Sequence, residues 1–216
     1  MVLLRSIVTV GGFTMLSRIL GFVRDILVAA FLGAGPIADA FFVAFKMPNF
    51  FRRLFAEGAF NAAFVPLFAA KLTDDGKSSA AQFATAVLSV MVVFLLVFVT
   101  GLQIAMPWLM YVFAPGFVDD SEKFSLAIEL TRITFPYLLF ISLVSLLGGV
   151  LNSLGRFAAA AATPVILNIV LIGAMLLATP HLPSAGHSLA WGVSVAGVAQ
   201  FLWLVYACRQ AGISLR

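Results

Sequence analysis

Six long apolar runs constrain this chain more than any other feature, at roughly 7–31, 37–70, 80–107, 124–152, 157–179 and 188–208. Each has at least the ~20 residues that a helix needs to cross a hydrocarbon core of ~30 Å. The runs are continuous and do not alternate with a period of two, which excludes a transmembrane β-barrel. Of the 216 residues, 62% are hydrophobic and 10% charged, against about 45–50% and about 25% in a soluble domain. The sequence therefore predicts an all-α, polytopic membrane protein, with residues 1–216 forming one six-helix transmembrane bundle. The second run is too long for one straight crossing, reaching about 51 Å at 1.5 Å per residue. Pro48 and Pro66 lie inside it, so a kinked helix with a segment projecting along or beyond the interface is expected.

The loops set the orientation. Arg5, Lys71, Lys77, Arg156, Arg209 and Arg216 fall on one side of the predicted bundle, and Lys123 alone falls in the loops of the other. The positive-inside rule then puts both termini in the cytoplasm. Arg18 and Arg24 interrupt the first apolar run, which argues against a cleaved signal peptide.

Several function classes fall away. One cysteine, Cys208, makes no disulfide framework or Cys-rich metal site. His181 and His187, both read as loop residues, are too few for an imidazole metal centre, and no cofactor is expected. The basic residues form no soluble basic face, so nucleic acid is not an expected partner. No acid, base or nucleophile set of the known catalytic types is present, and an enzyme is not expected.

What remains unusual is charge inside apolar runs. Residues 1–60 carry Arg5, Arg18, Arg24, Lys46, Arg52 and Arg53 against Asp25, Asp39 and Glu57. An arginine at the depth of Arg18 costs about +2.5 to +3.5 kcal/mol on the insertion scale, so such a helix should face an aqueous cavity or a paired interior. Arg18 and Asp25 are seven apart, as are Asp39, Lys46 and Arg53, which puts each set on one helix face. The two helices, joined by a five-residue turn, are expected to be neighbours. Pairs such as Asp39–Arg18 or Arg53–Glu57 would still leave at least two cations over. Arg24 and Asp25, adjacent on a helix, are not expected to pair. An arginine-rich cavity suits a polyanion, because the planar guanidinium binds phosphate or carboxylate in a bidentate manner.

Other polar groups read as structural. Glu129 and Arg132, three apart, are expected to pair within their helix. Asn152 and Asn168 should make interhelical hydrogen bonds, and the glycines at 148, 149, 192 and 197 should be close-packing surfaces. Pro136 and Pro164 should kink their helices.

The stretch SRILGFVRDILVAAFLGAGPIADAFFVAFKMPNFFRRLFAEGAFNAAFVP at 17–66 resembles the N-terminal signature of the MurJ (MviN) lipid II flippases of the MOP exporter superfamily. APGF at 114–117, TFPY at 134–137 and LNSLGRF at 151–157 are similar too. The resemblance implies one lobe of a MOP-type transporter in the bacterial inner membrane. It also implies that undecaprenyl-pyrophosphate-linked precursor, lipid II, is moved to the periplasmic leaflet by alternating access. It maps head-group and diphosphate binding onto Arg18, Arg24 and Arg52. It places Ser17, Asp25, Asp39 and Arg53 near the cavity, with Glu57 in a gate. Members of the family are roughly twice this length, so a second lobe, from a longer chain or another copy, is expected to complete the cavity. Two other readings are an exporter of another lipid-linked saccharide or a drug, and a membrane scaffold or truncated product without transport.

Overall fold

The computed structural model describes the backbone of residues 2–53 and 59–213, and side chains over 8–53 and 62–213. Every regular element among these residues is helical. The helices are α1 (Val2–Leu32), α2 (Pro36–Arg52), α3 (Ala59–Asp74), α4 (Gly76–Ile104), α5 (Met106–Phe113), α6 (Ser121–Thr134), α7 (Tyr137–Ser153), α8 (Phe157–Ala161), α9 (Thr163–Gly173) and α10 (Ala185–Gln210). The all-α class agrees with the sequence reading. Among the described residues, Gly76–Ile104, Ser121–Ser153, Phe157–His181 and Ala185–Gln210 are long and apolar enough to cross a membrane, by length and composition.

Prolines punctuate these spans. Pro136 separates α6 from α7 and Pro164 opens α9, because a residue without an N–H cannot extend the helical ladder. Within the run at 37–70, read from the sequence as one kinked span, the described residues form α2 and α3, and 54–58 lie outside them. Pro48 sits buried inside α2 without ending it. Gly155, at φ +71°, closes α7 in the left-handed conformation that glycine adopts without a Cβ clash. That turn lets the Arg156 N–H bond back to the Leu151 carbonyl at 2.8 Å.

Two apolar clusters hold the bundle. One gathers Phe41, Met47, Met106, Met110, Leu130, Phe135, Leu171 and Met175 between α2, α5, α6, α9 and α10. The other gathers Phe68, Leu95, Leu146, Leu147, Leu151 and Leu204 between α3, α4, α7 and α10. α7 and α10 lie at the centre. Glycines let them approach their neighbours: a Cβ on Gly197 would lie 2.8 Å from Tyr137 Cδ2, and one on Gly192 would lie 2.8 Å from Ala174 Cβ. At Gly148 the nearest atom would be 3.7 Å away. Gly197→Ala should therefore destabilise the fold by about 1–3 kcal/mol through overpacking, while Gly148→Ala should be nearly neutral. Thermal unfolding in detergent checks this; equal effects at both positions would contradict it.

The expected α1–α2 pairing gives way to another arrangement. α1 packs mainly against α9 and α8, whereas α2 packs against α6, α10 and α7. Gly33, at φ +62°, reverses the chain in a short link that leaves the two helices free to diverge. α4 is peripheral, with Val90, Val93, Phe94 and Val97 exposed, as suits a lipid-facing helix.

Candidate functional site

The polar centre of the structure is built where α1 meets α9. Ser17, Gly21 and Arg24 recur at four and three residues, so they share one face of α1. Gly21 adds no side chain, and a Cβ there would lie 3.7 Å from Asn168 Nδ2. Asn168 of α9 is 4% exposed. Its Nδ2 donates to the Ser17 carbonyl at 2.9 Å, with Ser17 Oγ at 3.5 Å. Its Oδ1 accepts from Arg24 Nη1 at 2.9 Å. A buried amide is thus satisfied at both ends by α1.

Arg24 also bonds its neighbour. Nε and Nη2 donate to Asp25 Oδ1 at 3.0 and 2.7 Å. This corrects the expectation that adjacent helical residues would not pair: the three-methylene stem of arginine curls far enough to span the ~100° between them. The Arg24 side chain is 24% exposed and that of Asp25 is 67% exposed. A guanidinium has five N–H donors, and these bonds engage three. One N–H on each terminal nitrogen has no partner among the described residues, which leaves donors for an incoming oxyanion.

The remaining candidates divide into two groups. Arg18 is exposed one residue round α1 from Ser17, on the face it shares with Asp25. On α2 and its C-cap, Asp39, Lys46 and Arg53 are all exposed, so the seven-residue spacing leaves each of them at the surface. Asp39 pairs with Lys123 of α6, not with Arg18. Arg18, Lys46 and Arg53 have no hydrogen-bond or ion-pair partner among the described residues. Arg52 lies elsewhere, in a cavity of about 340 Å³ that Ser145, Asn152 and Thr163 also line. Its Nε donates to Asn49 Oδ1 at 3.3 Å. The ring of Phe51 fixes this end of α2 by edge contacts to Phe98 and Phe135, with centroids 5.6 and 5.8 Å apart. Arg18 and Arg24 do not line the Arg52 cavity. Glu57, the candidate gate, lies outside the described residues.

Two further pairings differ from the sequence reading. Glu129 accepts from or bonds to His187 Nε2 at 3.3 Å, and Arg132 Nε donates to the Gln103 carbonyl at 3.3 Å. The expected Glu129–Arg132 pair is replaced because α10 and α4 each bring a partner within reach. His187 is in the first turn of α10, with Nδ1 2.8 Å from the capping Ser184 Oγ. Sequence reading missed Asn168 as part of the site. It was expected to bond between helices, and only the α1–α9 contact identifies Arg24 as the partner.

Comparison with known proteins follows the same lines. The family model described as lipid II flippase MurJ matches residues 28–216. A probable lipid II flippase MurJ of Rhizobium tropici is 48% identical over 220 residues, which is 100% of this chain and 41% of that protein. A lipid II flippase MurJ of Burkholderia cenocepacia is 44% identical over 93% of this chain and 39% of its own length. A solved structure of lipid II flippase MurJ in an inward closed conformation superposes with a TM-score of 0.77. It is 29% identical and covers 94% of this chain and 42% of that one. The chain spans about two-fifths of the length of the relatives it matches.

Proposed function

The chain belongs to the lipid II flippase MurJ family, and on that premise we propose that it forms the N-terminal, six-span lobe of a lipid II flippase. In this reading the bundle lies in the bacterial inner membrane with both termini in the cytoplasm. A second lobe, from a longer chain or a partner, closes the cavity. The observation that carries the reading is the Arg24 guanidinium, held on one side by Asp25 and Asn168 and offering two unused N–H groups.

A diphosphate needs a cationic fork that stays charged in a low-dielectric setting, and arginine provides it. Arg24 takes the diphosphate, and Arg18 and Arg52 contribute to head-group binding. Ser17 and Asp25 fix the position of Arg24: Ser17 anchors Asn168, and Asp25 holds Nε and Nη2. Arg53 continues the cationic stripe of α2, where Asp39 is neutralised by its lysine partner. Glu57 acts in the gate. Rocking of this lobe against its counterpart would expose the site to each leaflet in turn.

The test is a chimera in which residues 1–216 replace the matching part of the Rhizobium tropici relative, reconstituted into vesicles with fluorescent lipid II. Translocation above protein-free vesicles is expected. A correctly inserted chimera that leaves lipid II in its original leaflet, or that carries only a different lipid-linked saccharide, would overturn the reading.

A further inference from the structure

Lys123, the lysine that neutralises Asp39, is held at both its backbone and its ammonium. Asp120 caps α6 and accepts from the Lys123 backbone N–H at 3.0 Å. The Lys123 ammonium sits 4.2 Å from the centroid of Phe117, the last residue of the APGF turn. Attraction to the ring face keeps the side chain over the turn. From there Nζ reaches across to α2 and donates to Asp39 Oδ2 at 2.5 Å. The Lys123 side chain is 19% exposed and that of Asp39 is 54% exposed. The lysine is therefore fixed from behind, and the carboxylate stands on the open side.

That open side is the α2 stripe. Asp39 heads the row that continues with Lys46 and Arg53, all exposed. Left bare in a poorly screened setting, that carboxylate would oppose a polyanion approaching the cations of the stripe. Lys123 cancels that charge without occupying the stripe, because it comes from α6.

We propose that Lys123 is a positioning residue that masks Asp39, keeping the α2 stripe cationic for the polyanionic substrate. The APGF turn serves to hold the mask in place. The inference rests on the flippase reading for its substrate, and on the ion pair alone for its geometry. Masking predicts a specific order of effects. Lys123→Met leaves Asp39 bare and raises the KM for lipid II about fivefold to tenfold, with kcat little changed. Adding Asp39→Asn to Lys123→Met removes the repulsive charge and restores KM to within about twofold. A purely structural tie predicts the opposite, since the double variant also lacks the pair and should be no better than the single one.

The experiment measures translocation rate against lipid II mole fraction in the chimera. In parallel, calorimetry follows inorganic pyrophosphate binding to the purified 216-residue chain. The expected result is impairment by Lys123→Met and recovery in the double variant, in both measurements. A double variant as impaired as Lys123→Met, or an unchanged KM and pyrophosphate affinity in Lys123→Met, would overturn the masking role. A wild-type chimera that fails to translocate lipid II while the pyrophosphate series keeps its order would sink the flippase reading and leave the mask standing.

Discussion

Arg24→Ala in the chimera should reduce lipid II translocation by about a hundredfold or more while leaving insertion and folding intact. The magnitude follows from what the side chain does. Truncating one member of a partly buried, charge-assisted set costs about 2–5 kcal/mol of binding. Here the loss includes both the diphosphate contact and the charge that balances Asp25. Folding should survive, because the Arg24 bonds to Asp25 and Asn168 are local to the α1–α9 seam and outside both apolar clusters. Arg24→Lys should recover less than about a tenth of the lost rate. An ammonium is a single point of charge and cannot contact Asp25, Asn168 and a bidentate ligand in the geometry that the fork provides. The rate of fluorescent lipid II translocation, normalised to inserted protein, is the measurement. Near-wild-type rescue by lysine would show that charge alone matters at this position.

Asn168 should separate stability from function. Asn168→Leu keeps the branched outline of the side chain but leaves Arg24 Nη1 without its acceptor and removes the donor to the Ser17 carbonyl. That should cost about 1–3 kcal/mol of stability and about tenfold in lipid II affinity. Asn168→Asp should split the two effects. A carboxylate beside Arg24 forms a stronger, charge-assisted bond to Nη1, so the fold should be more stable than that of Asn168→Leu. It also places a second negative charge, with Asp25, against the guanidinium that must receive a diphosphate, and lipid II affinity should fall further than in Asn168→Leu. Unfolding temperatures and lipid II dissociation constants for the pair would check this. Stability and affinity falling in the same order would contradict the role assigned to the amide.

Much of this site was legible as spacing. The sevens of α2 placed Asp39, Lys46 and Arg53 on one exposed face, and the structure has them there. The same arithmetic linked Arg18 with Asp25, and the small residues at 192 and 197 marked real close approaches. Periodicity describes one helix at a time, however, and the partners of a charged group come from helices distant in sequence. Asn168 meets Arg24 across 144 residues and Lys123 meets Asp39 across 84. Both contacts depend on α1 leaning on α9 and α2 on α6, where chain order favoured α1 beside α2. The Arg24–Asp25 pair was misjudged for a different reason: the angle between adjacent Cβ atoms matters less than the reach of an arginine stem. Glu129 found His187 because the capped first turn of α10 brings the ring to α6, which no spacing within α6 encodes.

Native mass spectrometry of the purified chimera tests the central claim most directly, with lipid II and, as a control, undecaprenol lacking the diphosphate. The account predicts a lipid II adduct that Arg24→Ala removes, with the undecaprenol signal equally weak in both proteins. An adduct of undiminished intensity in a folded Arg24→Ala chimera would contradict it, and would place recognition of the diphosphate elsewhere.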